Sequence, residues 1–579
     1  MARALILDGH SRAAVEATQA LGRAGVEVVV TCQSSHGAAF HSRYAKIKLE
    51  QPSVLPNLDF VRWLRELNSR YEFGLIVPAT ETSLQGFLDL PDYDPLRRLA
   101  VLPDSQSLKV CLNKHLTWER ASRLEIPVPA SRLIRTLADI GDAPSFPVVL
   151  KPVLSKLADQ GELKTLAPAI VCDEAAWRSL LEDWVPRLDV LQQEYVSGWG
   201  VGLEVLYCNG ILRWSFGHER LHEWPLTGGA STYRRAIEPP VELLEASRRF
   251  LDSLTWNGVA MVEFKKRKNG SFVLLEVNPR LWGSLALSID AGVNFPLGLW
   301  KIAQMDPLPP QPSVQTGFRT RHLSSDLLWL KANLLADRKN PLLLTRPRLN
   351  SLLELALPFL GRERWDHFHW DDLGPFFHDF RELCSISMRA ARRRARVYSF
   401  LMKRRQLIRR AVTYLTTSRT QERRSLLFVC QANICRSPFA ALVASARLPG
   451  FRIESAGFDH RPGRHTPFNV AGQSAALGFD MSQCQSKPLT EDRIRTADLI
   501  LVMDLLNLDQ LAASFPSSVG RTFLLGLFAD RPVVEIEDPN HKDTTSTRRI
   551  MLQIISAIDQ FTTAIASRLR EKTEESAVS

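Results

Sequence analysis

The sequence lacks any uninterrupted run of about 18 apolar residues, so no helix is expected to span a bilayer. Its first residues, MARALILDGH, hold too short an apolar stretch for a secretory leader and read as a buried first strand. Cysteine is scarce: Cys32, Cys111, Cys172, Cys208, Cys384, Cys430, Cys435 and Cys484 are scattered without a disulfide framework. That suits a reducing compartment, and a cytoplasmic location is expected. Cysteine pairs at metal-ligand spacing with histidine companions are missing, so a zinc site is not expected. No internal repeat is found. A glycine fingerprint of the dinucleotide type is also absent, which removes a nicotinamide site.

What is present is ordinary in bulk and uneven in placement. The chain is 45% hydrophobic and 23% charged over 579 residues, more than one core usually organises, so three or four domains are expected. Net charge is +11, yet residues 389–424 alone hold thirteen Arg and Lys against one acid, Glu422. The rest of the chain therefore sums to about −1.

Apolar runs alternate with helical patterns from the start, as in RALILDG, SRAAVEATQALGRAG and VEVVVTC. This βαβ punctuation predicts a parallel, Rossmann-like sheet over residues 1–110. A mixed α+β pattern follows over 111–310, then a helical, basic linker over 311–424. A compact α/β pattern with a parallel sheet resumes over 425–575. The expected fold class is therefore α/β and multidomain.

Within GVAMVEFKKRKNGSFVLLEVNPRLWGS, Asn269-Gly270 is a strong hairpin signal, because a two-residue type I′ turn needs φ > 0 at both positions. That turn sets Glu263 opposite Glu276, with Asn278 on the same face as Glu276. Opposed carboxylates weaken a sheet. Two acids and an amide oxygen suit Mg²⁺, which offsets the repulsion; a solvated face with both acids in water is the plainer alternative.

These residues carry a resemblance to the ATP-grasp superfamily over roughly residues 1–305. The resemblance implies ATP and Mg²⁺ as cofactors, with the metal held by Glu263, Glu276 and Asn278. It assigns Lys114 and Lys151 to the nucleotide phosphates, Glu194, Tyr195 and Val196 to an adenine hinge, and Glu204 to the ribose. It gives Arg280 the oxyanion or the transferred phosphoryl group. Its implied chemistry is attack of a carboxylate on the γ-phosphorus and capture of the acyl phosphate by an amine. The family's glycine-rich flap is thin here, offering only Gly161, so a module that binds nucleotide without turnover is the alternative. The pair of carboxylate and amine substrates is not readable; Gly228–Ile237 is either a substrate loop or a glycine turn.

The stretch VCQANICRSP places Cys430 at the end of an apolar strand and Ser437-Pro438 at a helix start, with Ser437 as the expected N-cap. Such a loop aims several backbone N–H groups at one point and cradles an anion. Together with Arg436 it favours a thiolate at Cys430. Arginine's planar fork fits two phosphate oxygens. The stretch resembles the low-molecular-weight protein tyrosine phosphatases over about residues 425–570, with ESAGF, ADLILVMD and Asp538-Pro539, 108 residues after the cysteine. The resemblance makes Cys430 the nucleophile, Arg436 the phosphoryl holder, Asn433 and Ser437 braces, and Asp538 the general acid and then base. It needs no cofactor and implies phosphotyrosine protein or another phosphomonoester as substrate. It also offers Cys435 as a reversible disulfide partner for Cys430, with plain packing as the alternative. Ala432 stands where the family commonly has glycine, which predicts a tightened or strained loop.

On a helix, Val397, Phe400, Leu401, Ile408, Ala411, Val412 and Leu415 line one stripe in a basic surround. A docking helix whose charges face water is the first reading, and attachment to an anionic membrane surface the second. Nucleic acid is not expected as a partner, since no recognition fold accompanies the charge. The combined expectation is an ATP-grasp ligase joined to a cysteine-dependent phosphatase.

Overall fold

The computed structural model describes residues 2–159, 162–361, 363–417 and 423–578. Gly161 and Glu422 lie outside the described residues. Packing divides the chain into two compact units. One comprises Met1–Arg135, Val149–Ile170 and Leu188–Ile386; the other comprises Thr136–Val148, Val171–Arg187 and Ser387–Ser579.

The first unit begins with a parallel sheet in the spatial order Ala45–Glu50, Glu27–Cys32, Arg3–Ile6, Phe73–Val77. Leu5, Ile6, Val28, Val29 and Val30 are wholly buried, because both faces of such a sheet are covered. The helix Arg12–Arg23 starts at Ser11, whose hydroxyl accepts the Ala14 N–H.

A seven-stranded sheet follows, in the order Phe272–Asn278, Gly258–Lys266, Trp199–Cys208, Ile211–Trp224, Ala230–Ile237, Arg319–Arg321, Glu363–Trp365. The last two strands fall inside the segment expected to be a linker from residue 311. The unit runs on to Ile386, so the boundary at 310/311 is displaced. The reason is physical: Arg321 pairs with Glu363 at 2.7 Å and Asp326 at 2.6 Å inside the unit, and three-residue strands give no periodicity to read.

The hairpin forms, but not with the expected turn. Gly270 is left-handed at φ 88° and Asn269 is not, and the Gly270 N–H bonds to Arg267 O at 3.0 Å. Near the tip, Lys266 therefore faces Phe272, one residue off the type I′ register. A bulge between Glu263 and Phe264, with Leu275 as the extra residue opposite, restores it. Glu263 then faces Glu276, and Met261 faces Asn278.

The second unit is built on a parallel sheet in the order Arg452–Gly457, Ser425–Cys430, Leu499–Val502, Thr522–Leu524. The basic segment is helical, as Gly374–Met402 and Arg404–Thr417, broken at Lys403. Its apolar stripe is spent on the unit's own cores: Ala411 and Leu415 are fully buried, while Val397, Phe400, Leu401 and Ile408 pack as partly covered side chains. Among the described residues, the stretch Thr544–Glu571 is long and apolar enough to cross a membrane, with mean hydropathy 1.3. The expectation drawn from uninterrupted runs misses it because polar residues interrupt its apolar ones. Its Ile550, Ile554, Ile558 and Phe561 are at most 1% exposed and belong to the core.

Candidate active sites

In the second unit, the strand Ser425–Cys430 is flanked by strands reached in opposite directions, so its carboxyl end opens at the point where strand order switches. Open α/β sheets place ligands in that crevice. Cys430 stands there, 3% exposed, followed by a loop and the helix Arg436–Arg447.

The loop is wound around the sulfur. Asn433 is left-handed at φ 53°, a conformation asparagine tolerates, and its N–H points at Cys430 Sγ at 3.2 Å. Its Nδ2 donates to Ser437 Oγ at 2.8 Å, and Ser437 Oγ lies 3.0 Å from Sγ as a donor. Asn433 Oδ1 accepts the Lys487 N–H at 2.8 Å. Ser437 is thus not the N-cap. That position belongs to Cys435, without a side-chain cap, because the serine hydroxyl is turned to the sulfur. Ala432 is not among the residues with positive φ, so the strain expected there is absent.

Arg436 is 4% exposed and is held from two sides. Its Nη1 donates to Asp504 at 2.7 Å and to Ile536 O at 3.0 Å, and its Nη2 reaches Asp538 at 3.1 Å. Burial acts to lower its pKa, but Asp538, Cys430 and Asp504 outweigh it, so the guanidinium is held firmly charged. Its Nε is buried without a partner, which suits a group that awaits an anion. Asp538 is 44% exposed, the accessible member of this set. Cys435 is a free, buried thiol whose pKa is pushed far up by burial.

Sequence reasoning missed Asp504. It ends the run ADLILVMD and caps the helix Leu505–Ser514 through the Asn507 N–H at 2.7 Å. An acid at the mouth of the strand beside Cys430 was the available signal.

In the first unit, Lys114, Glu276, Asn278 and Arg280 line one small pocket together with Glu81 and Ser155, neither of which was anticipated. Lys114 Nζ donates to Ser155 Oγ at 2.5 Å. Burial pushes the Glu81 pKa up and the Lys151 pKa down. Asn278 Nδ2 donates to Glu263 at 3.2 Å and to Glu276 at 3.3 Å. Arg220 Nη2 holds the other oxygen of Glu263 at 2.6 Å. For Glu263, burial raises the pKa more than Arg220 lowers it. For Glu276, burial is outweighed by Lys114 and Lys151, and the pKa is lowered. The two facing carboxylates are thus unlike.

The proposed hinge is on a different strand. Glu194 ends Val190–Glu194 and takes the Ala130 N–H at 3.3 Å and Arg267 at 3.3 Å; Val196 is buried. Tyr195 lies between them. Glu204 does not fit the ribose role: it is 0% exposed and bonds to His218 Nδ1 at 2.5 Å.

The family model for low molecular weight phosphotyrosine protein phosphatase matches residues 425–574. The model for ATP-grasp in the biosynthetic pathway with Ter operon matches residues 226–325. A probable low molecular weight protein-tyrosine-phosphatase, EpsP of Ralstonia nicotianae, is 32% identical over 136 residues, covering 24% of this chain and 92% of that protein. A protein-arginine-phosphatase of Geobacillus stearothermophilus is 31% identical over 115 residues, 20% of this chain and 77% of that one. Among solved structures, N5-carboxyaminoimidazole synthetase of Staphylococcus aureus is 17% identical with a TM-score of 0.45, covering 58% of this chain and 86% of that chain. Through its second unit the chain belongs to the low molecular weight protein-tyrosine-phosphatase family, and its first unit carries an ATP-grasp segment.

Proposed function

We propose that the chain is a bifunctional enzyme, a cysteine-dependent phosphomonoesterase fused to an ATP- and Mg²⁺-dependent carboxylate–amine ligase. The observation that carries the first half is the convergence of the Asn433 N–H and the Ser437 hydroxyl on Cys430 Sγ, beside Arg436 held by Asp504 and Asp538. Both donors reach the sulfur that this reading makes the nucleophile. The sulfur attacks phosphorus, the bond from phosphorus to the leaving oxygen breaks, and Asp538 gives its proton to that oxygen. Asp538 then takes a proton from water as water attacks the phosphocysteine, and the sulfur leaves as thiolate. Arg436 holds phosphoryl oxygens in both steps. Phosphotyrosine protein is the proposed substrate. Asn540 and His541 stand after Asp538-Pro539 where an aromatic substrate would need a stacking surface, so phosphoarginine and small phosphoesters belong in the same assay.

Cys430→Ser is expected to abolish hydrolysis of a generic aryl phosphate. Retained turnover in that variant removes the assignment.

For the ligase, the donor set fits a hard cation: two carboxylates and an amide share one face of the hairpin. Mg²⁺ held by Glu263, Glu276 and Asn278 would neutralise phosphate charge. Lys114 and Lys151 would neutralise more of it, and Arg280 would steady the transferred group. ADP release by the full chain that depends on both a carboxylate and an amine tests this. ATP binding without turnover across a broad panel would reduce the unit to a nucleotide-binding, regulatory one. The burial of the basic segment's apolar stripe supports a docking helix over a membrane-surface one.

A further inference from the structure

A second polar cluster lies in the first unit, on elements other than the strand pair that carries Glu263 and Glu276. We propose that His322, His367 and Asp379 form a binding site for one divalent first-row transition-metal ion, with Zn²⁺ the best fit. The inference is independent of the ligase reading.

Three separate elements bring the ligands together. His322 opens the helix Leu323–Leu335, His367 follows the strand Glu363–Trp365, and Asp379 lies on the helix Gly374–Met402. Their ligand atoms all lie within 4.8 Å of one another. Asp379 Oδ2 is 2.7 Å from His367 Nδ1 and 3.5 Å from His322 Nε2. Side-chain exposures are 12%, 2% and 19% for His322, His367 and Asp379, so water reaches the cluster poorly.

Two features exceed what a simple hydrogen-bonded patch needs. The first is backbone strain: His367 is left-handed at φ 63°, rare for a residue with a Cβ, and its N–H is fixed by Glu16 at 3.0 Å. The second is an outer layer. His322 Nδ1 caps the helix by taking the Ser325 N–H at 3.4 Å and lies 2.9 Å from Ser325 Oγ, while Nε2 faces Asp379. For Nε2 to hold an ion the ring proton moves to Nδ1, where Ser325 Oγ can accept it. His367 Nε2 is buried without a hydrogen bond and faces Glu16 Oε1 at 3.8 Å. At 3.8 Å the two are not hydrogen-bonded, but Glu16 stands close enough to take the role that metal-binding histidines usually give to a carboxylate at the second ring nitrogen.

Two imidazoles and one carboxylate select zinc-class ions over Mg²⁺ and Ca²⁺, which prefer oxygen alone. Three protein ligands leave a coordination position open. The sequence hides this set because its members are 45 and 12 positions apart and none is a cysteine.

The test uses the full chain, stripped with chelator and titrated with Zn²⁺ against a chromophoric competitor in excess Mg²⁺. One tight equivalent is expected, retained in Cys430→Ser and in Glu276→Gln. Asp379→Asn should weaken it at least about 100-fold and Glu16→Gln about 10-fold. Asp379→His, which keeps three ligand atoms, should restore it. Co²⁺ in the wild-type chain should give visible bands of a nitrogen–oxygen site without a thiolate charge-transfer band. A wild-type chain that binds no Zn²⁺ beyond what Cys430→Ser removes overturns the proposal. So does Asp379→Asn binding as tightly as wild type.

Discussion

The two candidate active sites differ in how they are assembled. The phosphatase site is centred on one loop: Cys430, Asn433, Arg436 and Ser437 fall within eight residues, and Cys430, Asn433 and Ser437 are bonded to one another. The ATP-grasp site draws Glu81, Lys114, Lys151, Arg220, Glu263 and Glu276 from elements spread over about two hundred residues. The first is closed from outside by Asp504, Asp538 and the Lys487 N–H. The second depends on register across a sheet, and it leaves two carboxylates face to face. Both keep something in reserve for a ligand: Arg436 Nε is buried without a partner, and the opposed acids share one amide.

The largest test of that contrast is Asp538→Asn. Hydrolysis of esters with poor leaving groups should fall by roughly 10²–10⁴, and good leaving groups should be far less affected. Equal losses across a leaving-group series would take Asp538 out of proton transfer.

Gly457→Ala probes the loop's rigidity from the neighbouring strand. A Cβ there would sit 2.8 Å from Asn433 N and 2.9 Å from Ala432 C, both backbone atoms. Overpacking of this kind costs about 1–3 kcal/mol. We expect activity to drop by about tenfold to a hundredfold, with a lowered melting temperature; unchanged kcat would show that the loop yields.

At the opposed acids, Glu263→Gln and Glu276→Gln should both lose the Mg²⁺-dependent thermal stabilisation by ATP. Their costs to the unliganded protein should differ. The Glu276 pKa is lowered, so its contribution is present above the ordinary carboxylate range and lost as pH falls through the folded value. The Glu263 pKa is raised, so ionising it weakens the fold as pH rises. Above neutrality Glu276→Gln should therefore be the more destabilising, read by denaturant melts. The reverse order would refute the unlike-pair description.

The smallest effect is expected from Arg396→Ala. Its bidentate pair with Asp509 at 2.6 and 2.7 Å is solvent-exposed and should contribute well under about 1 kcal/mol. A larger loss would mean that the basic helix is held by charge and not by Val397, Phe400 and Leu401.

Legibility followed the same divide. The nucleophile loop could be read because its chemistry is contiguous; the opposed acids were placed correctly because the bulge at Leu275 cancels the one-residue error in the expected turn. Glu81, Ser155 and Arg220 were not legible, since each reaches its site through tertiary packing with no spacing to betray it; Asp504 offered one signal, an acid closing an apolar strand. Ser437 was given the wrong local role: a serine before a proline reads as a cap, and only the fold shows its hydroxyl claimed by sulfur. Glu204 was misplaced because strand position alone does not say which charged residues are paired away in the interior.

The extra residue at Leu275 has a practical consequence. It decouples the tip of the hairpin from the acids behind it, acting as a clutch that absorbs changes of length at the turn. A Cβ at Gly270 would meet nothing within 4 Å, so the tip is open. A peptide tag or fluorophore spliced between Asn269 and Gly270 should leave Glu263 and Glu276 facing each other, giving a reporter on the hairpin that carries the proposed metal ligands.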